Sequence, residues 1–116
     1  MAFEGSCHCG EVAFSVDADP PAGALSCNCS HCSRKGFLLA FFPATAFTLL
    51  RGEAQLTTYR FNTGKIAHRF CSACGVQPFG EGVAPDGTET RAVNLRCVPA
   101  IDLGALAIQT FDGASH

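Results

Sequence analysis

Cys7-His8-Cys9, Cys27-Asn28-Cys29-Ser30-His31-Cys32 and Cys71-Ser72-Ala73-Cys74-Gly75 decide how this chain reads. They hold seven of its eight cysteines, and the eighth, Cys97, stands alone. C-x-C and C-x-x-C spacings let neighbouring sulfurs converge on one ion, so the pattern is that of metal ligands. Seven thiols do not divide into closed four-ligand sites. The simplest division is one closed site and a trio that keeps a coordination position open.

Residues i and i+2 of an extended strand share a face, so Cys7 and Cys9 form a clamp if this stretch is β. Cys71 and Cys74 followed by Gly75 resemble a zinc knuckle, the glycine permitting the tight turn. Joined, the two clamps give a tetrahedral four-cysteine site that ties residue 9 to residue 71 and restricts the unfolded chain. Cys27, Cys29 and Cys32 fall within six residues, so a metal there closes only a small loop and suits an active site better than a staple. The first site is therefore assigned to folding and the second to function. Four alternatives stand beside this division. Cys7 and Cys9 could join Cys27 and Cys29, which leaves Cys32, Cys71 and Cys74 without a coherent shared site. Cys97 could close the second site as a fourth ligand, giving two structural zincs. Cys71 and Cys74 could be a redox pair, although Gly75-Val76-Gln77-Pro78-Phe79 reads as non-helical where such a pair wants a helix N-terminus. Four disulfides would need an oxidising compartment.

The 116 residues fall within the size of one domain, spanning 1–116, and ten phenylalanines with Val, Leu and Ile runs supply a core. Eight basic and ten acidic residues give a net charge of −2, which provides neither a basic footprint for nucleic acid nor a polybasic patch for a membrane. The longest apolar run, Phe37 to Phe42, is strand-sized and stops at Pro43. With no visible export signal at Met1-Ala2-Phe3-Glu4, the expectation is a cytoplasmic protein with reduced thiols.

The alternation of Glu11 to Asp17 predicts a half-buried strand, and Asp19-Pro20-Pro21 breaks it. Strands are also expected at Ala24 to Ser26, Gly36 to Phe42, Thr48 to Arg51 and Thr88 to Arg96. Ser30 to Gly36 reads as a tight loop or one helical turn, and Pro43 to Phe47 as a single turn. Gln55 to Phe61 and Lys65 to Phe70 read as a hairpin turned by Asn62-Thr63-Gly64. Ile101 to Phe111 fits either a short helix or a strand. No long helical period is present, so the chain reads as mostly β.

Gly5-Ser6-Cys7-His8-Cys9-Gly10-Glu11-Val12-Ala13-Phe14, the Cys27 to Cys32 block with Gly36, His68 to Gly75, and Asn94-Leu95-Arg96-Cys97 together resemble the glutathione-dependent formaldehyde-activating enzyme family, which also contains centromere protein V. The resemblance implies a β-tent fold of small antiparallel sheets. It also implies two zinc ions, a structural one on Cys7, Cys9, Cys71 and Cys74 and a catalytic one on Cys27, Cys29 and Cys32. The family's reaction joins glutathione and formaldehyde through a carbon–sulfur bond that a lyase can also break. The chain looks shorter than the enzyme that gives the family its name, so insertions that shape a glutathione pocket are expected to be missing.

Three thiolates around zinc suit holding another sulfur better than ionising water, so a small thiol such as glutathione is the expected partner. His31, inside the second cluster, is the candidate catalytic residue for proton transfer; a surface histidine is the plainer reading. His8 is expected to be exposed, His68 to pack near the structural site and His116 to be disordered. Arg34, Lys35, Arg69 and Arg96 are expected to offset thiolate charge. Asn94 and Arg96 would share one strand face. Phe37, Phe41, Phe42, Phe61, Phe70 and Phe79 are assigned to the core. The competing function is a non-catalytic zinc-binding interaction module, and the oligomeric state is open.

Overall fold

The computed structural model describes residues 2–60 and 66–112. Among the described residues there are ten strands: β1 (Phe3–Ser6), β2 (Ala13–Val16), β3 (Gly23–Cys27), β4 (Leu39–Pro43), β5 (Phe47–Arg51), β6 (Leu56–Tyr59), β7 (Ala67–Cys71), β8 (Phe79–Val83), β9 (Glu89–Asn94) and β10 (Ala107–Phe111). One short α-helix, α1 (Ser30–Lys35), follows β3. The protein is mostly β, as its sequence pattern indicates.

Strands β1, β2 and β5 make a three-stranded sheet, and the other seven run in the order β10-β3-β4-β9-β8-β7-β6. Pairing is antiparallel except between β10 and β3, which run parallel. The β6–β7 hairpin expected from the sequence forms with Tyr59 opposite His68 and Leu56 opposite Cys71. Its turn, Asn62-Thr63-Gly64, lies outside the described residues, as do Phe61 and His116.

The core sits between the two sheets. Phe3, Phe14 and Val16 of the small sheet are buried with Val93 of the large one and with Leu95 and Val98, which follow it. Phe14 stacks on Phe47 with ring centroids 5.3 Å apart, and Phe79 meets Phe47 at 4.7 Å. Each such ring, removed from water, contributes about 2–3 kcal/mol. Phe41 departs from the expected core set: it is 54% exposed, because β4 alternates faces and Phe41 lies on the side away from the small sheet.

At the end of β5 the chain crosses close behind the first cysteine cluster. Gly52 adopts a left-handed φ of 95°, and a Cβ there would meet the Glu11 carbonyl, Val12 Cα at 2.7 Å and Val12 Cγ2 at 2.9 Å. Backbone strain and overpacking act together at this position. Gly52→Ala is therefore expected to lower unfolding free energy by on the order of 3 kcal/mol, read as a fall in the urea midpoint. An unchanged midpoint would contradict the close crossing.

Candidate metal centres and the adjoining cavity

The first cluster is built from two matching turns. Cys7 follows β1, its amide donates to the Val12 carbonyl at 3.0 Å, and Gly10, at φ 82°, donates to the Cys7 carbonyl at 3.3 Å. Cys71 closes β7, its amide donates to the Val76 carbonyl at 2.9 Å, and Gly75, at φ 81°, donates to the Cys71 carbonyl at 2.7 Å. Residues 7–9 thus form a turn, not the strand clamp expected from the C-x-C spacing. The left-handed Gly10 is the signal that distinguishes the two, as Gly75 is in the other turn. The Val12 amide also donates to Cys7 Sγ at 3.4 Å.

The turns bring Cys7, Cys9, Cys71 and Cys74 together with all sulfurs within 4.8 Å of one another. Cys9 Sγ lies 3.7 Å from both Cys7 Sγ and Cys71 Sγ. A tetrahedral site with Zn–S of about 2.3 Å has sulfurs about 3.8 Å apart, so the spacing fits. The thiols also cannot ionise independently. Cys74 is lowered to about 6: desolvation opposes ionisation, but hydrogen bonds from the Val76 and Cys9 amides and the Cys7 and Cys71 thiols outweigh it. Cys9 is pushed up to about 12, the help of a Glu11 backbone hydrogen bond being outweighed by desolvation and by the other three thiols. A cation bound there would let all four ionise together.

The second cluster has a different construction. Cys27 ends β3, Cys29 caps α1 by accepting the Cys32 amide at 3.3 Å, and Cys27 Sγ accepts the Cys29 amide at 3.5 Å. Gly36, in the left-handed region at φ 70°, closes the helix by donating to the Cys32 carbonyl at 2.9 Å. The three sulfurs converge within 4.8 Å, half-buried. Burial followed by Cys29 and Cys27 pushes the Cys32 thiol up. For Cys29 burial also opposes ionisation, yet the Cys32 amide and the neighbouring thiols carry it downward. An all-sulfur donor set fits a soft or borderline ion and not calcium or magnesium.

Cys97 joins neither group. It is buried, with Sγ 3.9 Å from the Gln77 carbonyl, and burial followed by the charges of Cys7 and Cys74 pushes it up to about 12. Among the described residues, no fourth Cys, His, Asp or Glu donor lies within 4.8 Å of all three sulfurs of the trio.

Two histidines meet beside this trio. His31, on α1, and His68, on β7, have ring centroids 4.1 Å apart, and Tyr59 stacks on His31 at 5.7 Å. His68 therefore faces the second cluster, although its nearness in sequence to Cys71 places it with the first. Three residues along a strand reverse the face, and that is the cue the sequence offers. Gln77 Nε2 lies 3.4 Å from His68 Nδ1, while Asn94 Nδ2 donates to the Gln77 carbonyl at 3.0 Å. Asn94 and Arg96 do not share a strand face. β9 ends at Asn94, and the Arg96 side chain turns to donate to the Gly36 carbonyl at 2.7 Å. Arg69 is engaged by Glu81 at 3.1 Å and Glu53 at 3.4 Å. Lys35 sits over the Phe70 ring at 5.5 Å, and His8 is exposed as expected.

Burial, then His31 and Lys35, push His68 down to about 4, and burial followed by Lys35 lowers His31. The unfolded chain, with an ordinary histidine, binds more protons than the native state between about pH 6.5 and 4. Stability from His68 is thus full above pH 6.5 and is lost as pH falls through that window. Discounted for solvent at the cavity mouth, the loss from pH 7.5 to 5.5 is about 1 kcal/mol. His68→Gln is expected to remove that part of the acid sensitivity, compared by urea unfolding at both pH values; identical slopes in the two proteins would refute it.

A cavity of about 210 Å³ opens against the trio, lined by Cys27, Cys29 and Cys32 with His68, Gln77 and a set of apolar side chains. A neighbouring cavity of about 340 Å³ is lined by His31, Arg34, Lys35, Tyr59, Phe70 and Gln77. No helix among the described residues is long and apolar enough to cross a membrane.

A small β fold carries a four-sulfur and a three-sulfur cluster, two differently built groups that could each hold a metal ion. The model of the glutathione-dependent formaldehyde-activating enzyme family matches residues 2–105, and the chain belongs to that family. A crystal structure of a Rhodobacter sphaeroides protein is similar at 30% identity and TM-score 0.77, covering 91% of this chain and 99% of that one.

Proposed function

We propose that this one-domain chain is a zinc-dependent carbon–sulfur lyase or synthase acting on a thiol adduct of formaldehyde or a related small electrophile, with a glutathione-like thiol as substrate. The observation that carries the reading is the trio Cys27, Cys29 and Cys32, joined by no fourth donor among the described residues and opening onto a cavity. Cys7, Cys9, Cys71 and Cys74 would hold a structural zinc, and the trio a catalytic one. Zinc held by Cys27, Cys29 and Cys32 would supply positive charge that favours the nucleophilic thiolate form of a substrate thiol.

The protein's own groups account for the rest. The Cys29 and Cys32 amides, donating to sulfurs of the trio, fix its geometry. His31 and His68 stand beside it with their ring affinities lowered by burial, so both are neutral at pH 7 and able to accept or donate one proton. Addition of a thiol to a carbonyl needs one such transfer, from the sulfur to the carbonyl oxygen, and His31 is the candidate to carry it. Gln77 positions His68 through Nδ1. Arg34 and Lys35, in the adjoining cavity, suit the carboxylates of glutathione.

A non-catalytic zinc module is the second reading, and it would be favoured by Cys97 closing the trio; Cys97 instead packs on the Gln77 carbonyl. The test is zinc quantification on reduced protein with a formaldehyde-adduct exchange assay across several thiols. Two zincs and a glutathione-dependent response support the enzyme, while silence across all thiols supports the module. The reduced thiols this requires fit a cytoplasmic location.

A further inference from the structure

The cavity against the trio is larger and more apolar than a molecule of two heavy atoms requires. Resting on the catalytic reading above, we propose that the electrophile handled here is an aldehyde bearing an alkyl or aryl group that fills this cavity, with the anionic part of the thiol partner in the adjoining cavity of Arg34 and Lys35.

Size comes first. Formaldehyde has two heavy atoms and no apolar substituent, whereas the cavity measures about 210 Å³. A cavity of about 150 Å³ lined by Leu, Ile and Phe admits benzene, so this space takes a group of that size. Lining comes second. Leu25, Phe37, Leu39, Phe41, Ile66 and Phe111 surround it, and among the described residues no Asp, Glu, Lys or Arg does. Its non-sulfur polar side chains, His68 and Gln77, lie 3.4 Å from each other and so occupy one place. Exposure comes third. Phe41 is 54%, Ile66 51% and Phe111 45% exposed, and all three border this one cavity. Single exposed apolar residues are ordinary, but several around one concavity mark a binding site.

Charge is segregated from this apolar space. Gln77 lines both cavities, and His31 of the cationic one lies 4.1 Å from His68 of the apolar one. A hemithioacetal is divided in the same sense, with an anionic thiol portion on one side of the carbon–sulfur bond and the aldehyde substituent on the other. In the synthetic direction that bond forms as the carbonyl π bond breaks, and the thiol proton passes to the carbonyl oxygen. The lytic direction returns both, and no oxidant or reductant is required.

The experiment uses the full zinc-loaded chain in two arms. In the first, NMR exchange rates of glutathione with formaldehyde, hexanal and phenylacetaldehyde are each divided by the uncatalysed rate. Hexanal and phenylacetaldehyde are expected to exceed formaldehyde at least tenfold; formaldehyde equal or faster overturns the proposal. Ala92→Leu, which narrows the cavity, is expected to cut the hexanal-to-formaldehyde ratio at least fivefold, and an unchanged ratio also overturns it. In the second arm, unreactive phenylacetamide and acetamide are titrated while backbone amide shifts are followed. Phenylacetamide is expected to bind at least tenfold more tightly and to move Leu39, Phe41 and Ala92. Absence of that binding sinks the proposal whether or not turnover occurs. Phenylacetamide binding without exchange of any aldehyde overturns the catalytic reading and the aldehyde assignment together.

Discussion

Cys71→Ser is expected to leave no cooperatively folded protein at 25 °C. The residue is fully buried, ends β7 and sits 3.7 Å from Cys9, which is 62 residues away in sequence. An ion held by these two turns closes a loop about twelve times longer than the one closed between Cys27 and Cys32. Loop-closure entropy alone makes that link worth about 2 kcal/mol more to the folded state. Structural zinc in such sites contributes on the order of 10 kcal/mol of apparent binding free energy, comparable with the whole stability of a small domain. Serine ligates zinc poorly and adds a hydroxyl to a closed site. Far-ultraviolet circular dichroism and urea titration read the result; a cooperative transition with a wild-type midpoint would remove Cys71 from the structural role.

Cys32→Ser is expected to behave in the opposite manner. The folded chain should persist with a urea midpoint within about 1–2 kcal/mol of wild type, carry one zinc where wild type carries two, and lose at least a hundredfold in adduct exchange. The trio lies within six residues, and their connections are the Gly36 cap, the α1 turn and the pairing of β3 with β10, none of which needs the Cys32 sulfur. Metal analysis on freshly purified reduced protein and the exchange assay check both halves. If Cys71→Ser and Cys32→Ser unfold alike, the assignment of one cluster to folding and the other to function fails.

The clusters were legible because ligand spacing is a local property: three sulfurs of α1 and its approach, and two paired turns, need no knowledge of the sheet. The strands around Val12 to Val16, Gln55 to Tyr59 and Thr88 to Asn94 were legible for the same reason. What escaped depends on distant register. Phe3–Ser6 and Phe79–Val83 are short, glycine-containing strands whose pairing partners, not their own residues, make them β. The choice of strand for Ala107–Phe111 is settled by parallel pairing with Gly23–Cys27, more than eighty residues earlier. His68 and Gln77 reach the trio because β7 and the segment after Gly75 lie against α1, a juxtaposition no spacing announces. Phe41 reads as core in the sequence because a continuous apolar run does not report which of its faces meets water.

Strand β7 presents His68 toward one sulfur group and delivers Cys71 to the other, within a single span of five residues. On the proposed assignment, an ion leaving the four-sulfur centre frees the anchored end of that strand, and the wall behind the trio loses its alignment with α1. Chelation would then silence turnover by slackening a beam, ahead of any vacancy at the reacting centre. The two ions would form a hierarchy, the remote one governing whether the nearer one has a shaped surface to work against.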